Sequence, residues 1–369
     1  MKKKAGALII LCSFMVICFS WILWIVFGRF TDRENHEKRL LAEPPKFTIE
    51  NYESYAGDWN AYIDDNMPFR NELVKTYSYI DYYVFKRSIE SKVIIGKNGW
   101  LFYINNDDGN SRDDYLGENL FSDEDLKKIA ENCMAFQETL EKQGREFVLF
   151  IAPNKERIYS EYMPDKYGEP ATMYRTLQVV QYLRKNTDIK VVYPYEELMK
   201  AKEKLSEDLY YKTDTHWNQI GGYIGTCALL KELGINMPIM NSSGITIHIT
   251  KQHIGDMLNM CNLIDVYIGN DLEYDVAYDG KNNYKKIRDS FSKTIEYSNI
   301  TNEGLSLYVI RDSFASWMGE YFGGIFNDTC MRHRKTYTYK DISDENPDIV
   351  VYETVERQIG ELISFDFYK

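Results

Sequence analysis

The sequence lacks the features that nucleic-acid-binding and zinc-binding proteins require. Its net charge is −12, and no long basic run occurs beyond the first residues. Because phosphate binding requires a basic surface, this composition argues against nucleic acid as a partner. The six cysteines are widely spaced and form no C-x-x-C pair, which argues against a cysteine zinc site. The chain also has no internal repeat and no glycine-rich phosphate-binding motif.

Histidines and cysteines give no further sign of a metal or a disulfide framework. His248, His253 and His333 have no mutual spacing typical of a metal site, so we expect no metal and no cofactor. The four cysteines outside the N-terminal apolar stretch allow zero, one or two disulfides. We favour none, because Cys133 and Cys227 fall on predicted helices as small apolar residues.

The N-terminal region contains the one long stretch without charge. Ala5–Phe27 is predominantly apolar and follows the basic Met1–Lys4. It is long enough to cross a bilayer, which needs roughly 20 helical residues, and the preceding lysines place the N-terminus in the cytoplasm. A cleaved signal peptide is the alternative, but the stretch is long for one and no clear cleavage site follows. We therefore predict a signal anchor over 1–28, in a single-pass cell-membrane protein whose remainder is extracellular.

The rest of the chain predicts two parts. Residues 29–90 form a juxtamembrane linker and a helical region, in which four apolar residues at helical spacing predict a packing face: Leu73, Tyr77, Ile80 and Val84. Residues 91–369 alternate helical patterns with short buried strands, which predicts a three-layer α/β domain with a mostly parallel sheet. We also expect a loop over Asn105–Gly117, a polar hairpin insertion near the cleft within Asp265–Asn302, and a last helix over Glu353–Ile363.

A candidate catalytic pair lies in Leu209–Ile220 (LYYKTDTHWNQI). Asp214 and His216 are two residues apart, and in extended backbone such residues point to the same side. A carboxylate so placed can orient an imidazole as a general base. The alternative is a solvated Asp beside a His whose hydrogen bonds are satisfied.

A candidate nucleophile follows a second buried strand. Leu305–Ile310 predicts the strand, Ser313 follows it, and a helix is expected from Ala315. A serine at such a turn exposes its hydroxyl and places backbone N–H groups where an oxyanion would form. Ser316 is a rival, but it lies one turn into the helix and is less well placed. Asp214, His216 and Ser313 therefore form a candidate catalytic triad.

Short sequence blocks occur in order along most of the chain: Asp64–Arg70 (DDNMPFR), Gly96–Phe102 (GKNGWLF), Ala152–Lys155 (APNK), Asp214–Asn218 (DTHWN), Gly255–Leu258 (GDML), Arg311–Phe314 (RDSF) and Glu353–Arg357 (ETVER). Together they resemble the AlgX/AlgJ-type sugar O-acetyltransferases, whose catalytic domain is SGNH-hydrolase-like, and the related DHHW-motif proteins of Gram-positive bacteria. Thr215 departs from the DHHW pattern, because it stands where those proteins have a second histidine.

The resemblance implies a function for the triad. Ser313 would attack an acyl donor, His216 would take its proton, and Asp214 would hold the imidazole, with transfer of the acetyl group to a polysaccharide hydroxyl. It further implies a multipass membrane-bound O-acyltransferase as partner, which exports the acetyl groups. A carbohydrate acetyl esterase would use the same residues, and a non-catalytic envelope assembly protein is a third reading. The signal anchor favours transfer, and the intact Asp/His/Ser set argues against a silent scaffold.

Other residues are candidates for substrate binding, each with a structural alternative. Asn154 and Lys155 line the cleft or merely form a strand-end turn. Arg311 holds an anionic substrate or pairs with a neighbouring acid. Tyr103 and Trp217 stack on sugar rings or belong to the core.

Overall fold

The structure is a computed structural model that describes residues 8–16, 19, 42–66, 70–236, 240–267, 271–301 and 304–369. Of the predicted membrane span, Ala5–Phe27, only residues 8–16 and 19 are described, and they are helical. The rest of that predicted span lies outside the described residues. Within the described part of the chain, no helix combines the length and apolar character needed to cross a bilayer.

The secondary structure alternates between strands and helices. The strands are β1 (Val93–Ile95), β2 (Leu101–Tyr103), β3 (Glu146–Ala152), β4 (Lys190–Val192), β5 (Met240–Gln252), β6 (Leu272–Tyr278), β7 (Tyr284–Asp289), β8 (Thr294–Asn299), β9 (Leu307–Arg311), β10 (Asp328–His333) and β11 (Ile349–Val355). The helices are α1 (Tyr55–Asp65), α2 (Arg70–Ile80), α3 (Ser111–Leu116), α4 (Asp123–Glu141), α5 (Lys155–Ile158), α6 (Arg175–Asn186), α7 (Tyr195–Lys204), α8 (Gln219–Glu232), α9 (Asp256–Cys261), α10 (Ile264–Tyr267), α11 (Gly319–Ile325) and α12 (Tyr339–Glu345). Two 3-10 segments, Phe314–Trp317 and Glu356–Ile363, follow β9 and β11.

The main sheet has the strand order β4-β3-β11-β9-β10-β8-β7. The strands from β4 to β10 are parallel, whereas β8 and β7 are antiparallel additions at one edge. The expected parallel core is therefore present, but the sheet is mixed. Its antiparallel part comes from the polar region expected as an insertion, because a hairpin can extend a sheet without a crossover helix.

Two hydrophobic cores lie on opposite faces of this sheet. Alternate side chains of β3 enter them: Phe147, Leu149 and Ile151 on one side, Val148, Phe150 and Ala152 on the other. Helices α4 and α6 cover the first face and α8 covers the second. Because strand residues alternate in direction, a continuous apolar run such as β3 requires this three-layer arrangement.

The chain divides into two compact units. One comprises residues up to Ile89 with Asn259–Leu263, and the other Glu90–Leu258 with Ile264–Lys369. In the first unit, α2 and the helical turn after it were predicted to present a packing face. That prediction is wrong, because its four apolar residues are exposed: Leu73, Tyr77, Ile80 and Val84.

Two further local predictions differ from the structure. The segment Asn105–Gly117 contains α3, which begins after Asn110, whose side chain accepts a hydrogen bond from the Asp113 backbone. The last helix was predicted to begin at Glu353, but β11 continues to Val355 in register with β3. The free cysteines Cys133 and Cys227 lie on α4 and α8, with no disulfide among the described residues.

A buried ion pair connects the ends of β3 and β11. Arg157 Nε donates to Glu356 Oε1 at 2.9 Å, and both side chains are almost fully buried. The other oxygen, Glu356 Oε2, accepts hydrogen bonds from the Asn154 backbone and the Tyr193 hydroxyl. The pair thereby fixes the turn that carries Asn154.

We expect Glu356→Ala to lower the free energy of unfolding by about 3–5 kcal/mol, because Arg157 would remain buried without its partner. Chemical denaturation of the full chain measures the change. Glu131→Ala is a matched control, since Glu131 pairs with Lys127 on the exposed face of α4, where an ion pair contributes little. A Glu356→Ala effect no larger than that of the control would contradict the role of the buried pair.

Candidate active site

The candidate site lies at the carboxyl ends of three neighbouring parallel strands. Asn154 follows β3, Arg357 follows β11 and Ser313 follows β9. Open α/β sheets place their ligand sites at this edge, because the loops there converge on one crevice.

A closed turn brings Asp214 and His216 together. A β-bridge between Tyr210 and Trp217 closes the turn, and the backbone N–H of His216 donates to Asp214 Oδ1 at 3.0 Å. The side chains of Asp214 and His216 are neighbours, as predicted. The predicted reason, an extended backbone, is wrong. An aspartate that accepts a hydrogen bond from the backbone two residues on forms an Asx turn.

The three candidate triad residues form one continuous hydrogen-bonded chain. His216 Nδ1 lies 2.6 Å from Asp214 Oδ1, and His216 Nε2 lies 2.7 Å from Ser313 Oγ. A proton on Nδ1, directed at the carboxylate, leaves the lone pair of Nε2 for the serine hydroxyl. This arrangement can activate the hydroxyl as a nucleophile.

Asp214 receives donors from a third segment as well. Its Oδ2 lies 2.8 Å from His253 Nε2 and accepts the backbone N–H of Asp256 at 3.1 Å. Burial alone would raise the pKa of Asp214, but the imidazoles of His216 and His253 hold it well below its usual range. Asp214 is therefore ionised, as a partner of a general-base histidine must be.

The turn around Asp214 is held by buried side chains. Thr215 donates its backbone N–H and its hydroxyl to Asp256, and Lys155 Nζ donates to the backbone carbonyls of Tyr211, Lys212 and Asp214. Burial lowers the pKa of Lys155 to about 8, although nearby carboxylates oppose the shift. A Cβ at position 255 would overlap the backbone carbonyl of Thr213, so only Gly255 allows this close approach.

The nucleophile turn is fixed by Asp312. Its Oδ1 accepts the N–H of Phe314 at 2.8 Å, and its Oδ2 accepts the N–H of Val355 at 2.7 Å. Asp312 donates its own N–H to Glu353, and burial, with the Asp312 charge second, raises the pKa of Glu353 well above its usual value. Because the N–H of Phe314 is already bonded, the backbone donor expected directly after the nucleophile does not face an oxyanion.

Aromatic rings flank the imidazole of His216. Trp317 stacks on it with ring centroids 4.5 Å apart and an angle of 20°, and Phe314 lies 4.9 Å away at 49°. Helix α8 approaches this turn closely, since a Cβ at position 222 would lie 2.5 Å from the Trp317 carbonyl oxygen. Gly222 therefore allows α8 to contact the nucleophile segment.

The residues predicted to bind substrate occupy two kinds of position. Lys155 is buried on the Asp214 turn; Arg311 is buried with its guanidinium donating to the carbonyls of Asp312 and Phe291. Trp217 is also buried and donates its indole N–H to the Phe314 carbonyl at 2.9 Å. These three side chains support the site from inside and have no face open to a sugar, which corrects that expectation.

Asn154 and Tyr103 remain candidates for substrate contact, although Asn154 is as buried as Lys155. Asn154 Oδ1 accepts the backbone N–H of Arg357, and its Nδ2 has no hydrogen-bond partner among the described residues. Tyr103 is partly exposed, and its ring lies 5.4 Å from the guanidinium of Arg357. That guanidinium also lies 5.7 Å from the Phe314 ring, which links both residues to the nucleophile turn.

Sequence reasoning missed several residues of the site: His253, Asp256, Trp317 and Arg357. A signal existed for Trp317, because it follows Ser313 by four residues, a spacing that shares one helical face. Asp256 and Arg357 lie in the sequence blocks that carry the family resemblance, but the sequence predicted no role for them. The sequence predicted no role for His253, since its spacing from the other histidines is not typical of a metal site.

Two groups of side chains have the chemistry of metal ligands among the described residues. One comprises Asp214, His216 and Asp256, but each atom there already has a protein donor or acceptor. The other comprises Glu296, Cys330 and Glu345, and burial raises the pKa of Cys330 to about 12.

Comparison with known proteins supports the fold and the family. Residues 93–272 match the family model described as "SGNH hydrolase-like domain, acetyltransferase AlgX". The probable alginate O-acetylase AlgJ of Pseudomonas putida is 26% identical over 180 residues, which are 46% of this chain and 40% of that protein. AlgJ of Pseudomonas syringae is 25% identical over 192 residues, or 50% of this chain and 44% of that protein. The chain thus matches less than half the length of these relatives.

Two solved structures share the fold. PatB1 of Bacillus cereus has a TM-score of 0.53 at 16% identity and covers 74% of this chain and 99% of its own. A DHHW family protein from Eubacterium siraeum has a TM-score of 0.51 at 16% identity, with coverage of 75% and 99%.

The α/β sheet with a serine, a histidine and an aspartate at its carboxyl edge is an SGNH-hydrolase-like domain. Over residues 93–272 the chain matches the AlgX family model and is similar to AlgJ, and it shares its fold with a DHHW family protein, as the sequence blocks predicted. The matched segment ends at residue 272, so Asp214 and His216 fall within it and Ser313 does not. The structure brings Ser313 to them through β9.

We expect a sulfonyl fluoride to label Ser313 in the full chain, because its hydroxyl is activated by His216. Ser313→Ala and His216→Ala should lose the label, as judged by peptide mass spectrometry. Ser316→Ala is the matched control: the Ser316 hydroxyl is buried without a hydrogen-bond partner among the described residues, and labelling should persist. Loss of the label in Ser316→Ala alone would make Ser316 the nucleophile.

We expect Trp317→Leu to slow this labelling by about 2- to 30-fold, because an aromatic face stabilises the imidazolium that forms when His216 takes the serine proton. Trp317→Phe keeps a ring face and should retain most of the rate. The measurement is the labelling rate at saturating pH. Equal rates in Trp317→Leu and the wild type would show that the stacking has no catalytic effect.

Proposed function

We propose that this protein is an extracytoplasmic O-acetyltransferase that moves an acetyl group, through an acyl-serine, onto hydroxyls of a polysaccharide. The observation that carries the proposal is the hydrogen-bonded chain from Asp214 through His216 to Ser313, with both links below 2.8 Å. A general base, its orienting carboxylate and a nucleophile in contact are the requirements for covalent acyl transfer.

In the first half-reaction, Ser313 Oγ attacks the acyl carbon of the donor while His216 Nε2 takes the serine proton. The donor's leaving group departs with that proton, and the acetyl group remains on Ser313 as an ester. Asp214 stabilises the transient positive charge on His216 and holds its tautomer.

In the second half-reaction, a sugar hydroxyl gives its proton to His216 and attacks the acetyl-serine ester. Ser313 Oγ leaves and regains the proton, which restores the enzyme. Transfer requires that sugar reach the ester before water does. The rings of Phe314 and Trp317 beside His216 support transfer, because they limit the space for water at the base.

Asn154 is our candidate oxyanion donor. The N–H of Phe314 is bonded to Asp312, so it is not available to a tetrahedral intermediate at Ser313. Asn154 follows β3 at the same edge of the sheet, and its Oδ1 is held by Arg357, which leaves Nδ2 as the donor. Preorganised donors of this kind stabilise the transition state by several kcal/mol, typically about 3.

The substrate and the location are part of the proposal. The relatives named alginate O-acetylases support a polysaccharide acceptor, while the basic Met1–Lys4 and the apolar Ala5–Phe27 support a membrane-anchored protein with its catalytic domain outside the cell. A multipass membrane-bound O-acyltransferase is the proposed source of acetyl groups.

The test is acetylation of the full chain, purified in detergent, by an activated acetyl ester. We expect an acetyl adduct on Ser313 by peptide mass spectrometry, and a loss of turnover of about 10⁴-fold in Ser313→Ala and His216→Ala. Adding oligosaccharide acceptors should convert the adduct into acetylated sugar faster than water converts it into acetate.

Each of the other outcomes would indicate a different function. An adduct that yields acetate alone, with every acceptor tried, indicates an acetyl esterase. No adduct and no ester turnover in the wild type indicates the non-catalytic assembly protein.

A further inference from the structure

The Asp214 carboxylate lies between two imidazoles. His216 approaches Oδ1 at 2.6 Å, and His253, the residue before the Ile254-Gly255 turn, approaches Oδ2 at 2.8 Å. The triad mechanism gives a role to His216 and none to His253. Such a partner for the second oxygen fixes the plane of the carboxylate, and with it the direction in which His216 is held.

The surroundings of His253 favour its positively charged form. Its Nε2 faces Asp214, and its Nδ1 lies 3.7 Å from Glu273 Oε1, so a carboxylate stands at each ring nitrogen. Burial would lower the pKa of His253, but the hydrogen bond to Asp214 and the charges of Asp214, Asp271 and Glu273 raise it above its ordinary value. A neutral ring would direct a nitrogen lone pair at one of these two carboxylates.

The ring of His253 is also fixed from its face. Tyr211 stacks on it with centroids 3.8 Å apart and an angle of 12°. The Tyr211 hydroxyl accepts the indole N–H of Trp317 at 3.3 Å, and Trp317 in turn stacks on His216. A continuous path of packed rings therefore joins His253 to the catalytic base, separate from the path through Asp214.

We propose that His253 is a positioning residue that, as an imidazolium, holds the Asp214 carboxylate opposite His216 and offsets part of its charge. The proposal rests on the proposed role of Asp214, His216 and Ser313, but not on acetyl transfer as such. With His253 charged, the negative charge available to stabilise protonated His216 is smaller. The proton taken from Ser313 is therefore released more readily to the leaving group, and the base stays free at lower pH.

The distinguishing variant is His253→Gln, whose amide can donate to Asp214 but carries no charge. We expect it to keep the plateau rate of Ser313 sulfonylation within about threefold, while the acid limb of the rate–pH profile moves up by about one pH unit, because Asp214 then acts on His216 with its full charge. His253→Ala also removes the hydrogen bond and should lower the plateau rate at least about tenfold.

The charge on His253 has a readout that does not depend on activity. The chain has five histidines, and nitrogen NMR of the full chain assigns His253 as the signal lost in His253→Gln. We expect both ring nitrogens to be protonated at neutral pH. In Glu273→Gln, which leaves the contact with Asp214 intact, the titration midpoint of His253 should move to lower pH.

The outcomes separate this proposal from the proposed function. A neutral His253 at neutral pH, or a His253→Gln profile identical to that of the wild type, would overturn the positioning role. Labelling of Ser313 without acetyl transfer would overturn the proposed function alone. A wild type in which Ser313 is never labelled would overturn both.

Discussion

The site depends on one buried negative charge, the carboxylate of Asp214. A carboxylate removed from water is costly unless donors surround it, and four groups donate here: the N–H and Nδ1 of His216, Nε2 of His253 and the N–H of Asp256. The same contacts that make the charge tolerable define where His216 points. The stability of the turn and the orientation of His216 therefore depend on the same contacts. Displacing either imidazole would leave the buried charge of Asp214 without one of its partners.

The scaffold around this charge is assembled from segments far apart in the chain, and each close approach has a specific cause. Gly255 allows the third segment to reach the Asp214 turn, and Gly222 allows α8 to press against the turn of the nucleophile. Asp312 clamps that turn to β11 through the N–H of Val355, and Lys155 holds three carbonyls of the Asp214 turn. The buried charged groups Asp312 and Lys155 thus hold the two catalytic turns in a fixed geometry, as preorganised catalysis requires.

Local signals predicted much of this architecture. Apolar runs such as β3 and β9 predicted the buried strands, because a strand covered on both faces needs no polar residue, and strand-end positions predicted Ser313. The polar sequence of β7 gave no sign of its place in the main sheet, because β7 is an exposed edge strand and contains no apolar run. His253 could not be predicted, because its contact with Asp214 spans 39 residues and leaves no periodic trace. Asp214 and His216 were paired for the wrong reason, a strand rather than an Asx turn.

The groups at the ends of β3, β9 and β11 have different roles in the proposed mechanism, and these roles affect whether the acyl group is transferred or hydrolysed. Asp312 accepts the N–H of Phe314, so this donor stabilises the turn of the nucleophile and is not available to an oxyanion. In the proposed mechanism Asn154, at the end of β3, supplies a donor. An acyl group held between Ser313 and Asn154 would sit beside the aromatic rings that flank His216. In the proposed mechanism, transfer instead of hydrolysis then requires that a bound sugar exclude water from the side of the ester that the substrate enters.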